Sequence, residues 1–161
     1  MRTTFVFLVG FLAGAAVMPS LAQGDRPNGT NYVNHVAIAV DNFDEAFAFY
    51  TQKMGFREAF TVRDDKGQAT LAYVQASRNT FVELQRANAN RPAGLNHYGL
   101  HVENLKATVA ALRERGVKVD DIRVRPDDAS VANATDPNGI RIEMFDFGPG
   151  SPQGKAIAAW K

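Results

Sequence analysis

The chain repeats itself. Residues 34–42 read NHVAIAVDN and residues 96–104 read NHYGLHVEN. Both runs open on Asn-His, alternate small with large residues, and close on an acid followed by Asn. A second pair keeps the same beat: FVELQ at 81–85 and IRIEMFD at 140–146. His35 precedes His97 by 62 positions, and Glu83 precedes Glu143 by 60. A unit of about sixty residues therefore occurs twice, each copy carrying one His and one Glu in strand-like surroundings. Such a period dictates architecture before any local assignment is made.

Side chains alternate faces along a strand. In the first run Val36, Ile38 and Val40 share one face, and His35, Ala37 and Ala39 the other. In the second, Tyr98, Leu100 and Val102 oppose His97, Gly99 and His101. Val82 and Leu84 flank Glu83; Ile142 and Met144 flank Glu143. Each ionisable group thus stands opposite a bulky apolar face suited to a helix. Its own face carries small neighbours, which leaves space for a ligand.

Local signals fill in the rest of each unit. A strand over 32–40 leads to Asn42, an N-cap with Glu45 completing a capping box. Phe43, Phe47, Tyr50 and Met54 form one helical stripe, and Gly55 suits the helix end. Strands follow at 56–63, 70–75 and 80–85, with a hairpin turn at 64–68. The second unit repeats the plan: a strand at 97–102, Asn104 as N-cap, a stripe of Leu105, Val109 and Leu112, and Gly116 at the helix end. Strands at 117–124, 130–135 and 140–147 follow, the last two joined by the tight turn DPNG. The expectation is an α+β fold of two βαβββ modules, at 32–87 and 96–147, within one domain spanning 32–147. The tail, 148–161, is expected to end in a short helix whose Trp160 seeks a surface.

The first 22 residues combine Arg2, an apolar stretch at 5–17 and the small-x-small site Ser20-Leu21-Ala22. This pattern is that of a secretory signal peptide, its apolar stretch being too short to span a membrane. A secreted or periplasmic chain with no membrane attachment after cleavage is expected, with a flexible lead-in at 23–31. There are no cysteines, so disulfides, thiolate ligands and thiol nucleophiles are excluded. Eighteen Lys and Arg against seventeen Asp and Glu, scattered along the chain, leave no electrostatic footprint for nucleic acid.

Two imidazoles and two carboxylates suit a divalent first-row metal: Ni, Co, Zn, Mn or Fe. Taken singly, a strand His is an ordinary core residue; recurrence in both copies singles out His35, Glu83, His97 and Glu143 as one metal site. Such an ion can hold two adjacent oxygens of a small substrate, polarise a carbonyl and acidify the neighbouring C–H. Glu143 or Glu83 then serves as the base. The chemistry expected is proton transfer through a metal-stabilised enediolate. His101 shares the face of His97 and is a candidate orienter or acid/base, and Arg141 is a candidate contact for an anionic substrate. Phe81, Gln85 and Phe145 are expected to wall the substrate cavity.

These motifs resemble the vicinal oxygen chelate superfamily, which includes glyoxalase I, bleomycin resistance proteins and ring-cleaving dioxygenases. The resemblance rests on NHVAIAV, FYTQKMGF, FVEL, NHYGLHV and DPNGIRIEMFD and covers about residues 32–147. It implies paired modules forming a cupped mixed sheet around a metal, often with the active site at a homodimer interface. His35, Glu83, His97 and Glu143 match the family's four ligand places, and a His-Glu-His-Glu set is most similar to glyoxalase I. A metal-dependent lyase or isomerase is the expectation, with a homodimer as its assembly. A small-molecule binding or resistance protein and an Fe(II) ring-cleaving dioxygenase are the alternatives. Glyoxalase I has Arg four residues past its first His and Asn four past its second ligand. Here Ala39 and Ala87 stand there, so weak or no glutathione-dependent activity is expected.

Overall fold

The computed structural model describes residues 31–127 and 129–161. The leader expected over 1–22, and all but the last residue of the lead-in, lie outside them. The first module runs β1 (Tyr32–Val40), α1 (Phe43–Ala48, prolonged by a wider turn over Phe49–Lys53), β2 (Arg57–Arg63), β3 (Ala69–Ser77) and β4 (Thr80–Arg86). The second runs β5 (Gly94–His101), α2 (Leu105–Glu114), β6 (Arg123–Val124), β7 (Ala129–Thr135) and β8 (Arg141–Phe147), and α3 (Pro152–Ala158) ends the chain. All eight strands form one sheet, ordered β2-β3-β4-β1-β5-β8-β7-β6. The order is a palindrome of the two modules. Within each, the first strand pairs parallel with the last, and the modules join where β1 runs antiparallel to β5.

The two expected caps form. Asn42 accepts from the backbone N–H of Glu45, and Asn104 from that of Ala107. Each satisfies a donor that the first helical turn leaves open, an arrangement worth about 1 kcal/mol. In return the Asn42 side-chain amide donates to the Glu45 carboxylate, at 3.0 Å. Asp64 accepts from the N–H groups of Lys66 and Gln68, and Asp136 from those of Asn138 and Ile140. Both hairpin turns then close through a Gly at positive φ, Gly67 and Gly139.

Three segments differ from expectation. The Phe43 stripe keeps Phe43, Phe47 and Tyr50 in the core, but Met54 is 51% exposed. The Thr51 hydroxyl donates to the Phe47 carbonyl, and the ladder widens so that Met54 N–H reaches the Phe49 carbonyl. A widened turn advances the helical phase and rotates Met54 outward. The strand expected at 117–124 shrinks to Arg123–Val124, plus a single bridge from Val119 to Ala134. Arg113 explains the loss: its guanidinium takes the carbonyls of Val119 and Asp120 and the carboxylate of Asp121. Those carbonyls are no longer available to a neighbouring strand. Strand ends also shift, by three residues at the start of β5 and by one or two elsewhere, β3 reaching Ser77.

Helices α1 and α2 cover the face opposite the four ionisable residues. Phe43 packs on Leu84 and Ala72. Leu105 and Val109 pack on Val102, Ala132 and Met144. Buried side chains of this size each contribute roughly 2–3 kcal/mol. Helix α3 returns to the first module, where Ala156 and Ile157 meet Tyr73 and Phe81. Arg57 anchors it by donating to the carbonyls of Ala156 and Ala159, and its guanidinium lies 5.6 Å from the Trp160 ring centre. No helix among the described residues is long and apolar enough to cross a membrane.

Candidate metal centre

Strand register assembles the site. Across the β1–β5 seam, His35 pairs with Gly99 and His97 with Ala37. On the outer flank of each seam strand the same small residues meet the carboxylates: Ala37 pairs with Glu83 and Gly99 with Glu143. Each small residue therefore lies beside a Glu and across from a His, and the four long side chains converge over it. The fit is tightest at Gly99, where a Cβ would overlap the His35 ring.

The convergence is close. His35 Nε2 lies 3.1 Å from His97 Nε2. It lies 3.3 Å from a Glu83 oxygen and 3.5 Å from a Glu143 oxygen. The corresponding distances from His97 Nε2 are 3.5 and 3.7 Å, and the four donor atoms all lie within 4.8 Å of one another. Ligands about 2.0–2.2 Å from one ion stand roughly 3.0–3.5 Å apart when adjacent in its shell. The donor set thus fits a divalent cation by spacing and by chemistry, with two nitrogens and two carboxylates. All four donors come from one chain, so the set is complete within a protomer.

The rings are aimed by their neighbours. Asn34 Oδ1 lies 3.3 Å from His35 Nδ1, and Asn34 donates in turn to the Asn79 carbonyl. Asn96 Oδ1 lies 2.7 Å from His97 Nδ1. An amide oxygen can only accept, so each Nδ1 carries a proton, which leaves each Nε2 as the nitrogen that can give its lone pair to an ion at the centre. Arg141 approaches both Asn96 Oδ1 and His97 Nδ1. A guanidinium cannot donate to a protonated nitrogen, so its hydrogen bond goes to the Asn96 oxygen. The β1–β5 ladder is irregular between Val33 and His35, at the strand position of Asn34. The repeated Asn-His doublet was the available sign of these two residues. Tyr73 had none: its hydroxyl donates to a Glu83 oxygen at 2.9 Å, but only the register of β3 on β4 places it there.

The two carboxylates differ in freedom. Glu83 receives Tyr73 on one oxygen and Gln85 on the other. Burial pushes its carboxyl up, but the hydrogen bond from His97, the charges of both imidazoles and the Gln85 amide outweigh that and hold it at about 2. Glu143 is also held below the ordinary value, burial again being outweighed by His97 and His35. Among the described residues its only polar partners are the two histidines. Burial drives His35 toward its neutral form. At His97 the opposing burial is overcome by Glu143 and Glu83, which raise its pKa.

A cavity of about 340 Å³ opens on Glu83, His97 and Glu143, with Gln85 and Arg141 on its wall. His35 closes the floor, fully buried. Phe81 and Phe145 are buried behind the site rather than on the wall; the Phe145 ring meets His35 edge-on at 5.3 Å. His101 stands apart from the cavity, stacked on Tyr32 at 5.0 Å and against Phe147 at 4.4 Å. Three wall residues outside the repeated motifs, Arg91, Arg123 and Arg125, also reach the cavity.

The model of the Glyoxalase/Bleomycin resistance protein/Dioxygenase superfamily matches residues 32–144. The chain belongs to that superfamily. Its described fold is that of the vicinal oxygen chelate proteins. Methylmalonyl-CoA epimerase from Mycobacterium tuberculosis superposes with a TM-score of 0.62 at 21% identity, over 73% of this chain and 88% of the other. The uncharacterized protein YaeR of Escherichia coli is 28% identical over 126 residues, covering 73% of this chain and 98% of its own. A probable lactoylglutathione lyase of Synechocystis is 26% identical over 123 residues, covering 71% and 94%.

Proposed function

We propose that this superfamily member is a divalent-metal-dependent lyase or isomerase of the glyoxalase type, moving a proton between adjacent carbons of a small oxygenated substrate. The carrying observation is the convergence of two Nε2 atoms and two carboxylates, 3.1 to 3.7 Å apart across the four imidazole–carboxylate pairs and the imidazole pair. His35, Glu83, His97 and Glu143 hold the ion, which is Ni, Co, Zn, Mn or Fe. When bound it supplies Lewis acidity that polarises a carbonyl and lowers the pKa of the neighbouring C–H.

The chain's own residues do the rest. Asn34 and Asn96 fix the imidazole tautomers. Tyr73 and Gln85 tie Glu83 in place and keep it ionised. Glu143, bonded only to the histidines among the described residues, is the carboxylate free to swing toward substrate, take the proton and return it to the neighbouring carbon. This division of labour, Glu83 as anchor and Glu143 as base, narrows the choice left open by spacing alone. A fully engaged Glu83 also disfavours the dioxygenase alternative, which requires three ligands. We place the protein outside the cytoplasm on the strength of the leader pattern at 1–22, and as a homodimer on the habit of the superfamily.

The test is turnover of metal-loaded protein, with and without glutathione hemithioacetal, against Glu143→Gln. Proton exchange at the substrate carbon should fall at least a thousandfold in Glu143→Gln while metal remains bound. Exchange that survives in Glu143→Gln contradicts the assignment of the base. Tight ligand binding by metal-free protein, without turnover, favours the binding-protein alternative.

A further inference from the structure

The cavity's wall is electrically lopsided. Among the described residues four arginines line it, Arg91, Arg123, Arg125 and Arg141, with no lysine and no carboxylate except the two metal-facing glutamates. The chain as a whole carries a net charge of only +1, so this is local enrichment rather than general basicity. Arg125 is offset by Asp127, which it holds through two hydrogen bonds. The hydrogen bonds of Arg91 go to the Arg86 carbonyl, and Arg141 bonds the Asn96 amide oxygen. Neither partner bears charge. With a divalent ion balancing Glu83 and Glu143, three positive charges remain facing the cavity.

The lopsidedness follows the module boundary. Where His35 pairs with Phe81, His97 pairs with Arg141; the repeat places an aromatic ring in one half and a guanidinium in the other. Leu71, Tyr73 and Gln85 form the neutral wall from the first module, and Arg123, Arg125 and Arg141 the basic wall from the second. The neutral wall keeps one acceptor open. Gln85 is 7% exposed, its amide nitrogen is committed to Glu83, and its Oε1 is buried with no hydrogen-bond partner among the described residues. A substrate hydroxyl is the donor that satisfies it.

We propose that these arginines form a subsite for an oxyanion group, phosphate or carboxylate, carried on the same compact substrate whose adjacent oxygens meet the metal residues. The planar guanidinium fork matches either anion through paired hydrogen bonds. A substrate so held lies with its hydroxylated carbons toward Gln85 and its charge toward the second module. The adjacent-oxygen part of this statement rests on the proton-transfer function above; the arginine part stands without it.

The test uses the metal-loaded full chain and three hydroxy acids that share one pair of adjacent oxygens: lactate, malate and 3-phosphoglycerate. Arg123→Gln is the variant, because among the described residues Arg123 makes no hydrogen bond or ion pair to a metal-facing residue, and it lies on an exposed two-residue strand. Malate or 3-phosphoglycerate should bind at least tenfold more tightly than lactate, and Arg123→Gln should shrink that ratio severalfold with lactate affinity unchanged. A gain for 3-phosphoglycerate alone identifies phosphate as the group; a gain for malate alone identifies carboxylate. Equal binding of all three, or a preference that Arg123→Gln leaves intact, overturns the subsite. If the protein takes up no metal, and the function above fails, inorganic phosphate and acetate replace the set. Binding of either that Arg123→Gln weakens then still supports the arginine subsite; binding of neither, or binding that Arg123→Gln leaves intact, overturns it.

Discussion

The His35 ring stands in the space that a side chain on residue 99 would need. Gly99 is there for want of a Cβ and not for backbone freedom, since its φ is not among the positive ones. Gly99→Ala must therefore push the ring out of line or spread the β1–β5 seam. The expected result is a metal affinity at least tenfold weaker, with a lowered melting temperature if the seam yields instead. Metal titration alongside thermal unfolding separates the two. An alanine variant with unchanged affinity and stability contradicts the packing described.

Asn34 and Asn96 should matter through the rings they orient. Asn34→Ala and Asn96→Ala each free an imidazole to rotate or to adopt the other tautomer. Metal affinity should fall by about 10- to 100-fold in each. Asn34→Ala should also cost stability, because it leaves the Asn79 carbonyl without its donor. Competition with a chromogenic chelator reads the affinities.

Acid should unfold the metal-stripped protein through its carboxylates. The folded pKa of Glu83, about 2, lies below its ordinary value of 4.5, and that of Glu143 is lowered too. A depressed carboxyl stabilises the fold fully above its unfolded pKa, and that contribution is lost as pH falls through the folded one. The His35 and His97 shifts run in opposite directions. Wild type should therefore lose on the order of 3 kcal/mol from Glu83 alone between pH 4.5 and 2. Glu83→Gln should start less stable and show a flatter acid limb in denaturant titrations at stepped pH.

Most of the fold was legible because duplication is a long-range signal. The pairing of His35 with His97 and of Glu83 with Glu143 needs only the repeat period, and strand alternation then puts all four on one face. Both N-caps and both Asp-led turns were equally plain, being encoded within five residues. What escaped was set by tertiary competition. Arg113 captures the carbonyls of a segment whose pattern reads as strand, and Thr51 widens a helix whose stripe looks regular. His101 shares the strand face of His97, but four residues along a strand is about 13 Å, and the sheet carries it to an aromatic cluster. Arg91 lies in a linker, Arg123 on an edge strand and Arg125 just past it, all outside either repeated motif, so only folding reveals that they meet.

One chain brings together two imidazoles and two carboxylates spaced for one divalent ion. Elemental analysis of the purified protein, followed by chelator stripping and titration with Ni, Co, Zn, Mn and Fe(II), shows whether that ion binds. The expected result is one ion bound per chain, lost in His35→Ala and in Glu143→Ala while the circular dichroism of the fold persists. Stoichiometry near zero for every ion, or binding indifferent to both substitutions, contradicts the account.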